Sequence, residues 1–259
     1  MGKAKWKKLK QVSHINAPAT DLKSKYIFMI IIAMLSLAAF QRNAVWTYWA
    51  DLWSNVIKNS PERGRGYVNL GIEYENSDID RAFEIYKQAL TAAKDNFYVH
   101  FRLAQIYEKK GLDDLAIKEY EEALDPAKIY DAPRSSYADV YLGFALLLQK
   151  KGLVEKAIMN YQKAVEISPN SLTAYKAHNN IGAIYGEQNF FDMAVKEFKQ
   201  AIEIDPILPD AYNNLAVEYA KKELYEDALS SFQTALKLNP NDAITIQNIA
   251  AAKKNIKNK

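Results

Sequence analysis

The sequence predicts an all-α protein: a solenoid of about five helical hairpins with a C-terminal capping helix, behind one N-terminal transmembrane helix. Three observations lead to this fold class. A unit of about 34 residues recurs along most of the chain. A long apolar run precedes the repeats, and 17 Tyr against 9 Gly and 8 Pro favour long helices over many short strands. The 259 residues include no cysteine, which excludes disulfides, thiolate zinc sites and cysteine nucleophiles.

Residues 1–25 are predicted to form a basic cytoplasmic tail. They carry seven lysines against a single acid, Asp21, whereas the net charge of the whole chain is only +3. The rest of the chain is therefore slightly acidic. This balance argues against nucleic-acid binding by the folded part, since a duplex reader needs clustered Lys and Arg on its face.

Residues 26–42 are predicted to form a transmembrane signal-anchor helix. The run YIFMIIIAMLSLAAF carries no charge and would be about 22 Å long as a helix, shorter than the roughly 30 Å of a hydrocarbon core. Basic side chains that reach the headgroups and aromatic rings that lie among them can make up the difference. The predicted membrane-interface residues are Lys23, Lys25, Arg42, Trp46, Tyr48 and Trp49.

The lysine excess before the apolar run sets the predicted orientation. It places the N-terminus in the cytoplasm and the repeats on the opposite side, periplasmic or luminal. Two alternatives stay open. The run contains Ser36-Leu37-Ala38 near its end, and such small residues are typical of the cleavage site of a signal peptide. An apolar helix can also be buried in a soluble domain.

Residues 43–61 are predicted to be an aromatic connecting helix between the membrane segment and the repeats. Trp46, Trp49 and Trp53 lie in it. The sequence leaves open whether these rings face lipid, the first repeat or another subunit.

Four segments show the repeat most clearly: KGLDDLAIKEYEEAL, KGLVEKAIMNYQKAV, QNFFDMAVKEFKQAI and KELYEDALSSFQTAL, which begin at residues 110, 151, 188 and 222. Each has an alanine, an aromatic residue four positions later and another alanine three positions after that. Ala82, Tyr86 and Ala89 form an earlier copy. These spacings place the three side chains on one helix face, where alanine admits a neighbouring helix and the ring fills the gap. A second helix is predicted upstream of each copy.

This pattern resembles the tetratricopeptide repeat (TPR) family, whose repeats are pairs of antiparallel helices with small residues at their close contacts. The resemblance covers roughly Gly64 to Lys259, and it implies a right-handed TPR solenoid over residues 62–259. It implies a solenoid that binds proteins and not an enzyme, without a cofactor. Residues 242–257 match a first helix of the repeat, and their lysines make them a predicted solvated capping helix.

Two joints of the array depart from the regular spacing, and the smaller departure is three extra residues between Ala164 and His178. An insertion falls within residues 125–137, between the second and third repeats. It is predicted to lengthen a loop. Whether that loop is a contact surface stays open, because loops tolerate such growth at little entropic cost.

The junction between the apolar run and the first repeat resembles that of TPR-bearing membrane glycosyltransferases of the O-mannosyltransferase type. The matching residues are Leu52-Trp53, Pro61, Arg65 and Asn69-Leu70-Gly71. The many membrane helices and the acidic catalytic loop of such enzymes are absent from this sequence. The resemblance therefore implies a shared architecture and not the enzyme activity.

The sequence offers little that is typical of catalysis. It contains no phosphate-binding loop, no H-E-x-x-H and no G-x-S-x-G. His100 and His178 occupy the position where other repeats have Tyr67, Tyr141 and Tyr212, so an aromatic packing position explains both. No metal site is predicted.

The predicted binding residues lie on the first helices, which line the concave side of TPR arrays. Asn180, Asn214 and Asn248 recur 34 residues apart, and Asn69 holds the equivalent position in the first repeat. An Asn side chain can pair with both polar groups of an extended peptide backbone. The alternative is that these amides bridge adjacent helices within the array.

Two further basic residues join this set by resemblance. Lys176 with Asn180 and Asn214 matches half of the carboxylate clamp of chaperone-binding TPR domains, but Ile244 and Asn248 stand where the other half needs Lys and Arg. Arg65 with Asn69 is a second pair of this kind, followed by Arg102 where an Asn is expected. Binding of chaperone tails is therefore not predicted.

The sequence as a whole predicts a single-pass membrane protein. Its TPR array is expected to hold protein or peptide partners beside a membrane-associated complex, as a scaffold or assembly factor. The alternative, from the junction, is an accessory module of extracytoplasmic glycan or polysaccharide synthesis. The expected partners are a protein or peptide and the lipid bilayer, without nucleic acid.

Overall fold

The computed structural model describes residues 22–92, 97–125 and 134–258, except the side chains of residues 22–25, 38–48 and 134. The described residues form twelve α-helices. Their bounds are α1 Leu22–Asn59, α2 Gly64–Tyr74, α3 Ile79–Ala92, α4 Phe97–Lys109, α5 Asp113–Ala123, α6 Arg134–Lys150, α7 Val154–Ile167, α8 Leu172–Glu187, α9 Phe191–Ile204, α10 Pro209–Lys221, α11 Tyr225–Leu238 and α12 Ala243–Lys257.

The helices from α2 onward form a linear stack of hairpins. Five hairpins pair α2 with α3, α4 with α5, α6 with α7, α8 with α9, and α10 with α11, and α12 packs on α11 at the end. Each helix contacts mainly its neighbours along the chain, which is the pattern of a solenoid. The predicted all-α solenoid of five repeats with a capping helix is confirmed.

The alanines and the ring of each repeat form the core of its hairpin. Ala82, Tyr86 and Ala89 are completely buried in α3, and the equivalent residues of the four later hairpins are at most 2% exposed. The small alanines before and after the ring let the two helices of the hairpin approach each other, and the aromatic ring fills the space between them. The spacing read from the sequence is thus the packing pattern of the array.

The first helix of the second to fifth hairpins ends in the same tight turn. Its left-handed residue is Gly111, Gly152, Asn189 or Glu223, with φ between 57° and 74°. The amide of the following residue donates back to the carbonyl five positions earlier, as Leu112 does to Tyr107 at 2.9 Å. This Schellman arrangement satisfies the last carbonyls of the helix and turns the chain into the second helix.

The helix α1 continues unbroken from Leu22 to Asn59, so the predicted membrane segment and the predicted connecting helix are parts of one helix. Its C-terminal part packs on the first hairpin through Ala50, Trp53 and Ile57. The side chain of Ile57 also lies against α2, where a β-carbon on Gly66 would come within 3.0 Å of it. This part of α1 covers the open end of the array.

The N-terminal part of α1 stands away from the array. The large apolar side chains between Tyr26 and Leu37 are 47–65% exposed. Among the described residues, no helix combines the length and the apolar character needed to cross a membrane. The predicted span 26–42 and the predicted tail 1–25 lie partly outside the described residues, as do the interface side chains of Lys23, Lys25, Arg42, Trp46 and Tyr48.

The insertion between the second and third hairpins also lies mostly outside the described residues, which resume at Arg134. Its C-terminal end packs against α4. Tyr137 stacks on Phe97 with 4.5 Å between ring centroids, and the Tyr98 hydroxyl donates to Ser136 Oγ at 2.7 Å. These contacts join the third hairpin to the second.

Candidate partner-binding groove

The even-numbered helices line the inner side of the array. Along the stack, α6 contacts α8 and α8 contacts α10, whereas the odd-numbered helices pack chiefly on the even-numbered ones. Helices on the inner side of a curved stack lie closer together, so these contacts place the even-numbered helices on the concave side. All seven predicted binding residues lie on them: Arg65, Asn69, Arg102, Lys176, Asn180, Asn214 and Asn248.

We call the surface formed by these seven residues and by the exposed apolar residues beside them the groove. Leu146 and Val217, each three positions after the residue equivalent to Asn180, are 46% and 37% exposed. Ile244, four positions before Asn248, is 69% exposed. Spacings of three and four residues keep these side chains on the face that carries the asparagines. The groove therefore combines amides with exposed apolar side chains.

We call the position that Asn69, Asn180, Asn214 and Asn248 share in their repeats the Asn position. In each of the first three hairpins, the hydroxyl of the core tyrosine explains one role of this position. Tyr86, Tyr120 and Tyr161 donate to Glu75 at 2.6 Å, to Glu108 at 2.5 Å and to Gln149 at 2.7 Å. Each ring joins the two helices of its own hairpin. Burial raises the pKa of all three hydroxyls above their ordinary range.

The residue at the Asn position of the next hairpin lies over that hydroxyl. Burial raises the pKa of the Tyr161 hydroxyl, and the Asn180 side chain of the next repeat lies close enough to that hydroxyl to lower its pKa by a smaller amount. At the equivalent position, a β-carbon on Gly143 would come within 2.7 Å of the Tyr120 hydroxyl oxygen. The position is therefore close to the joint between repeats, and an amide there can bridge adjacent repeats.

The amides are also linked along the C-terminal part of the groove. The side chain of Asn214 donates to Asn179 Oδ1 at 3.0 Å, across two adjacent even-numbered helices. Asn213 accepts from the Thr245 hydroxyl at 2.7 Å and donates to Asp242 at 3.3 Å. Asn179 and Asn213 were not among the predicted residues, although they too recur 34 residues apart.

Arg102 is held in place on α4 by neighbours on both sides. Its guanidinium lies 3.7 Å from Glu75 Oε2 and donates to Gln105 Oε1 at 3.1 Å. Its Nε is buried with no partner among the described residues. Arg65 and Lys176 are exposed, on α2 and α8 respectively. The basic residues of the groove therefore lie on separate helices.

The two histidines in the array each meet a carboxylate. His100 Nδ1 lies 2.7 Å from Glu119 Oε2, and His178 Nδ1 lies 2.6 Å from Glu197 Oε2. Both pairs are 19 residues apart and join the two helices of a hairpin. The histidines occupy the predicted packing position, but the carboxylate partner was not predicted. Among the described residues, no three acidic or histidine side chains come together as a metal site.

Three family models described as tetratricopeptide repeat match this chain, over residues 73–128, 136–207 and 209–242. Together they cover most of the five hairpins. The matched stretches begin and end close to hairpin boundaries, apart from the first hairpin, where the match begins near the end of α2. No curated protein matches the chain.

Many solved structures share the fold. One of them is YrrB, whose title describes a TPR protein with an unusual peptide-binding site. Its structure matches 76% of this chain and 97% of YrrB, at 23% identity and a TM-score of 0.59. PilF of Pseudomonas aeruginosa gives a TM-score of 0.65 at 18% identity, over 77% of this chain and 86% of PilF. MamA gives 0.57 at 22% identity, over 67% of this chain and 96% of MamA. These identities show the fold alone.

Proposed function

Because this chain belongs to the tetratricopeptide repeat family, we propose that its groove binds a protein or peptide partner. The protein then acts as a scaffold or assembly factor and not as an enzyme. The amides of the groove carry this proposal. Asn214 uses one amide hydrogen on Asn179, and its own carbonyl oxygen has no partner among the described residues.

An extended peptide is the partner that suits these amides best. A peptide backbone presents alternating N–H and C=O groups, and an Asn side chain offers both a donor pair and an acceptor. Such pairing does not depend on the sequence of the peptide. The exposed Leu146, Val217 and Ile244 supply apolar contacts that would select its side chains.

We further propose that residues 26–42 anchor the protein in a membrane, with the N-terminus in the cytoplasm and the array on the other side. The large apolar side chains between Tyr26 and Leu37 support this anchor. Each is at least 47% exposed on a helix that stands away from the array, and exposed apolar side chains in such a row favour an apolar environment such as lipid. Confinement to one membrane raises the effective concentration of partners there, so a weak groove is sufficient.

The test is purification of the full-length protein from its native membrane in a mild detergent, with mass spectrometry of the proteins that co-migrate. Two substitutions disrupt the groove without touching its hydrogen bonds: Lys176→Glu and Val217→Asp. Both side chains are exposed on even-numbered helices. We expect both variants to lose a partner that the unchanged protein retains.

The controls repeat the same chemical changes on the outer side of the array. Lys199→Glu lies on α9 and Met159→Asp on α7, both at exposed positions. These variants are expected to keep the partner, with thermal unfolding like that of the unchanged protein. Retention by all four variants, or loss from the outer pair as well, would show that the partner does not bind in the groove.

A second candidate function is an accessory role in extracytoplasmic glycan or polysaccharide synthesis. It is favoured by the sequence of the junction, in which Leu52-Trp53 precedes Pro61 and Asn69-Leu70-Gly71. In that case the co-migrating proteins are multi-spanning transferases. Co-migration of subunits with no link to glycan synthesis would dismiss it.

A further inference from the structure

The direction of α1 fixes which edge of the array is nearest to its apolar part. A four-residue connection, residues 60–63, joins α1 to α2, and the two helices pack together, so they run antiparallel. Residues Ala50 to Ile57 of α1 lie alongside the first hairpin. The earlier part of α1 therefore projects past the end of α2, where the turn into α3 lies.

We call this edge the turn edge: the turns 75–78 and 110–112, which close the first two hairpins. The ion pair between Lys110 and Asp80 joins the second turn to the beginning of α3. Arg102 on α4 lies beside Glu75 at the first turn, with 3.7 Å between the charged groups. The two turns are thus neighbours on the side from which α1 leaves the array.

The length of α1 gives the height of this edge above the apolar run. The helix α2 has 11 residues and is about 16 Å long at about 1.5 Å per residue. Counting back the same length from Asn59 brings the first turn level with residues 48–49 of α1. The apolar run ends at Phe40, roughly 12 Å further along the helix. A headgroup layer accounts for about 5–8 Å of that distance, which leaves about 4–7 Å between the headgroups and the backbone of the first turn.

No proline or glycine interrupts α1 between Leu22 and Asn59, so it has none of the residues that most often kink a helix. A flexible linker would let the array tumble above the membrane, but a continuous helix that packs on the first hairpin holds the array at a set height and orientation. The turn edge is then held within about 4–7 Å of the lipid headgroups, a distance that side chains projecting from the edge can span.

The side chains of the second turn suit that position. Leu112 and Leu115 are 45% and 46% exposed, as are the equivalent Phe190 and Met193 of the fourth hairpin at 53% and 45%, so it is the closeness to α1 that singles out the second turn. The backbone amide of Leu112 donates to Tyr107 in the Schellman turn that ends α4. Both side chains are exposed, and only Gly111 separates Leu112 from Lys109 and Lys110 in the chain. Lysine stems beside leucines are typical of groups that lie in a membrane interface.

We propose that the turn edge lies against the bilayer, with Leu112 and Leu115 in contact with lipid. The inference rests on the proposed membrane anchor, and it adds that the array is held at a set orientation, with the groove reaching its partner at the membrane surface. The bilayer from which α1 emerges is the occupant of this apolar patch.

The absence of cysteine from the chain makes the test direct. Leu112→Cys and Leu115→Cys are made singly in the full-length protein, labelled with an environment-sensitive fluorophore and reconstituted into phosphatidylcholine vesicles that carry a headgroup quencher. Ile207→Cys is the matched control. It is apolar and 71% exposed, but it lies between α9 and α10, on the opposite edge of the array.

We expect the labels at Leu112 and Leu115 to shift to shorter wavelength and to lose most of their emission to the quencher, while the label at Ile207 is unaffected. Two leucine positions are used so that one poorly folded variant does not decide the result. Equal behaviour of all three labels in protein that floats with the vesicles would overturn the inference and leave the anchor standing. Protein that fails to float with the vesicles would overturn both.

Discussion

Gly182 lies so close to the ring of Phe198 that a β-carbon at Gly182 would come within 2.7 Å of Phe198 Cε1 and 2.8 Å of Cδ1. The two residues face each other across the fourth hairpin. Gly71 and Tyr86 have the same relationship in the first hairpin, with 2.8 Å to the hydroxyl oxygen. The other three hairpins carry Ala104, Ala145 and Ala216 at this position, all fully buried. The helices of the first and fourth hairpins therefore depend on glycine.

Gly182→Ala is expected to destabilise the array by about 1–3 kcal/mol, because a ring packed on both sides cannot move aside without strain. Thermal unfolding followed by far-ultraviolet circular dichroism measures the effect. Adding Phe198→Leu, which removes the atoms nearest to the new methyl group, should recover part of the loss. The reverse change, Ala145→Gly, is expected to cost the helix propensity penalty of about 1 kcal/mol and about 0.8 kcal/mol more for the lost buried methyl group, without any clash. A Gly182→Ala protein as stable as the parent would contradict this account.

The buried tyrosines should make the array sensitive to alkali. Burial raises the pKa of the Tyr86, Tyr120 and Tyr161 hydroxyls above the ordinary value of about 10. Above that pH the unfolded chain releases these protons while the folded chain keeps them. Their contribution to stability is therefore fully present below pH about 10 and is lost as the pH rises further.

Urea unfolding between pH about 8 and about 11 tests this expectation. A variant with Phe at all three positions should show a smaller fall in stability over that range, although it is less stable at neutral pH. Phe198 and Phe232 already hold the same position in the last two hairpins, so the ring itself fits. Equal pH dependence of the variant and the parent would show that these hydroxyls do not titrate in the expected way.

His178 and Glu197 should be replaceable together by the residues that another hairpin has at the same positions. The third hairpin has Tyr141 and Asn160 at the equivalent positions. His178→Tyr alone removes the partner of a Glu197 side chain that is only 18% exposed, so we expect a loss of stability. Adding Glu197→Asn copies the third hairpin and should restore part of it.

A double-mutant cycle on thermal or urea unfolding gives the coupling, expected at about 0.5–2 kcal/mol. The same cycle at His100 and Glu119, which are also 19 residues apart, is an internal replicate. Additive effects at both sites would show that the histidines fill space without depending on the carboxylates.

Gly152 is required by its backbone conformation and not by space. Its φ is +74°, and no atom lies within 4 Å of the place where a β-carbon would be. Gly152→Ala is therefore expected to lower the free energy of unfolding by about 1 kcal/mol, entirely through the strained left-handed conformation.

Gly152→Asn should be milder, since Asn189 holds the same position of the fourth hairpin at φ 62°. Urea unfolding of both variants measures the difference. An Ala variant that is no less stable than the Asn variant would show that the turn adjusts its backbone.

The repeat spacing was sufficient to predict the hairpins and their cores. The period of about 34 residues and the alanine, aromatic, alanine pattern identify the second helix of every hairpin, and those side chains are the buried ones. The sequence pattern predicts the buried residues here because a solenoid is stabilised by contacts between repeats that are neighbours in the chain. The residues that make such contacts recur at regular spacings in the sequence. The assignment of binding residues to the even-numbered helices followed from the same pattern.

The partners of individual side chains could not be predicted in that way. Asn214 donates to Asn179, and His178 meets Glu197. Each contact depends on the distance between two packed helices and on the rotamer of each side chain. Neither quantity has a signature in the spacing of residues along the chain.

The repeat spacing alone was enough to predict an all-α array of five hairpins with a capping helix, because repeated spacing on helix faces fixes both the elements and their nearest neighbours. The packed structure was needed to show that the C-terminal part of α1 covers the end of the array. It also decided which amides bridge adjacent repeats and which edge of the solenoid faces the apolar part of α1. The physical reason is that these features arise from the close approach of packed helices, where an ångström of spacing decides between contact and clash.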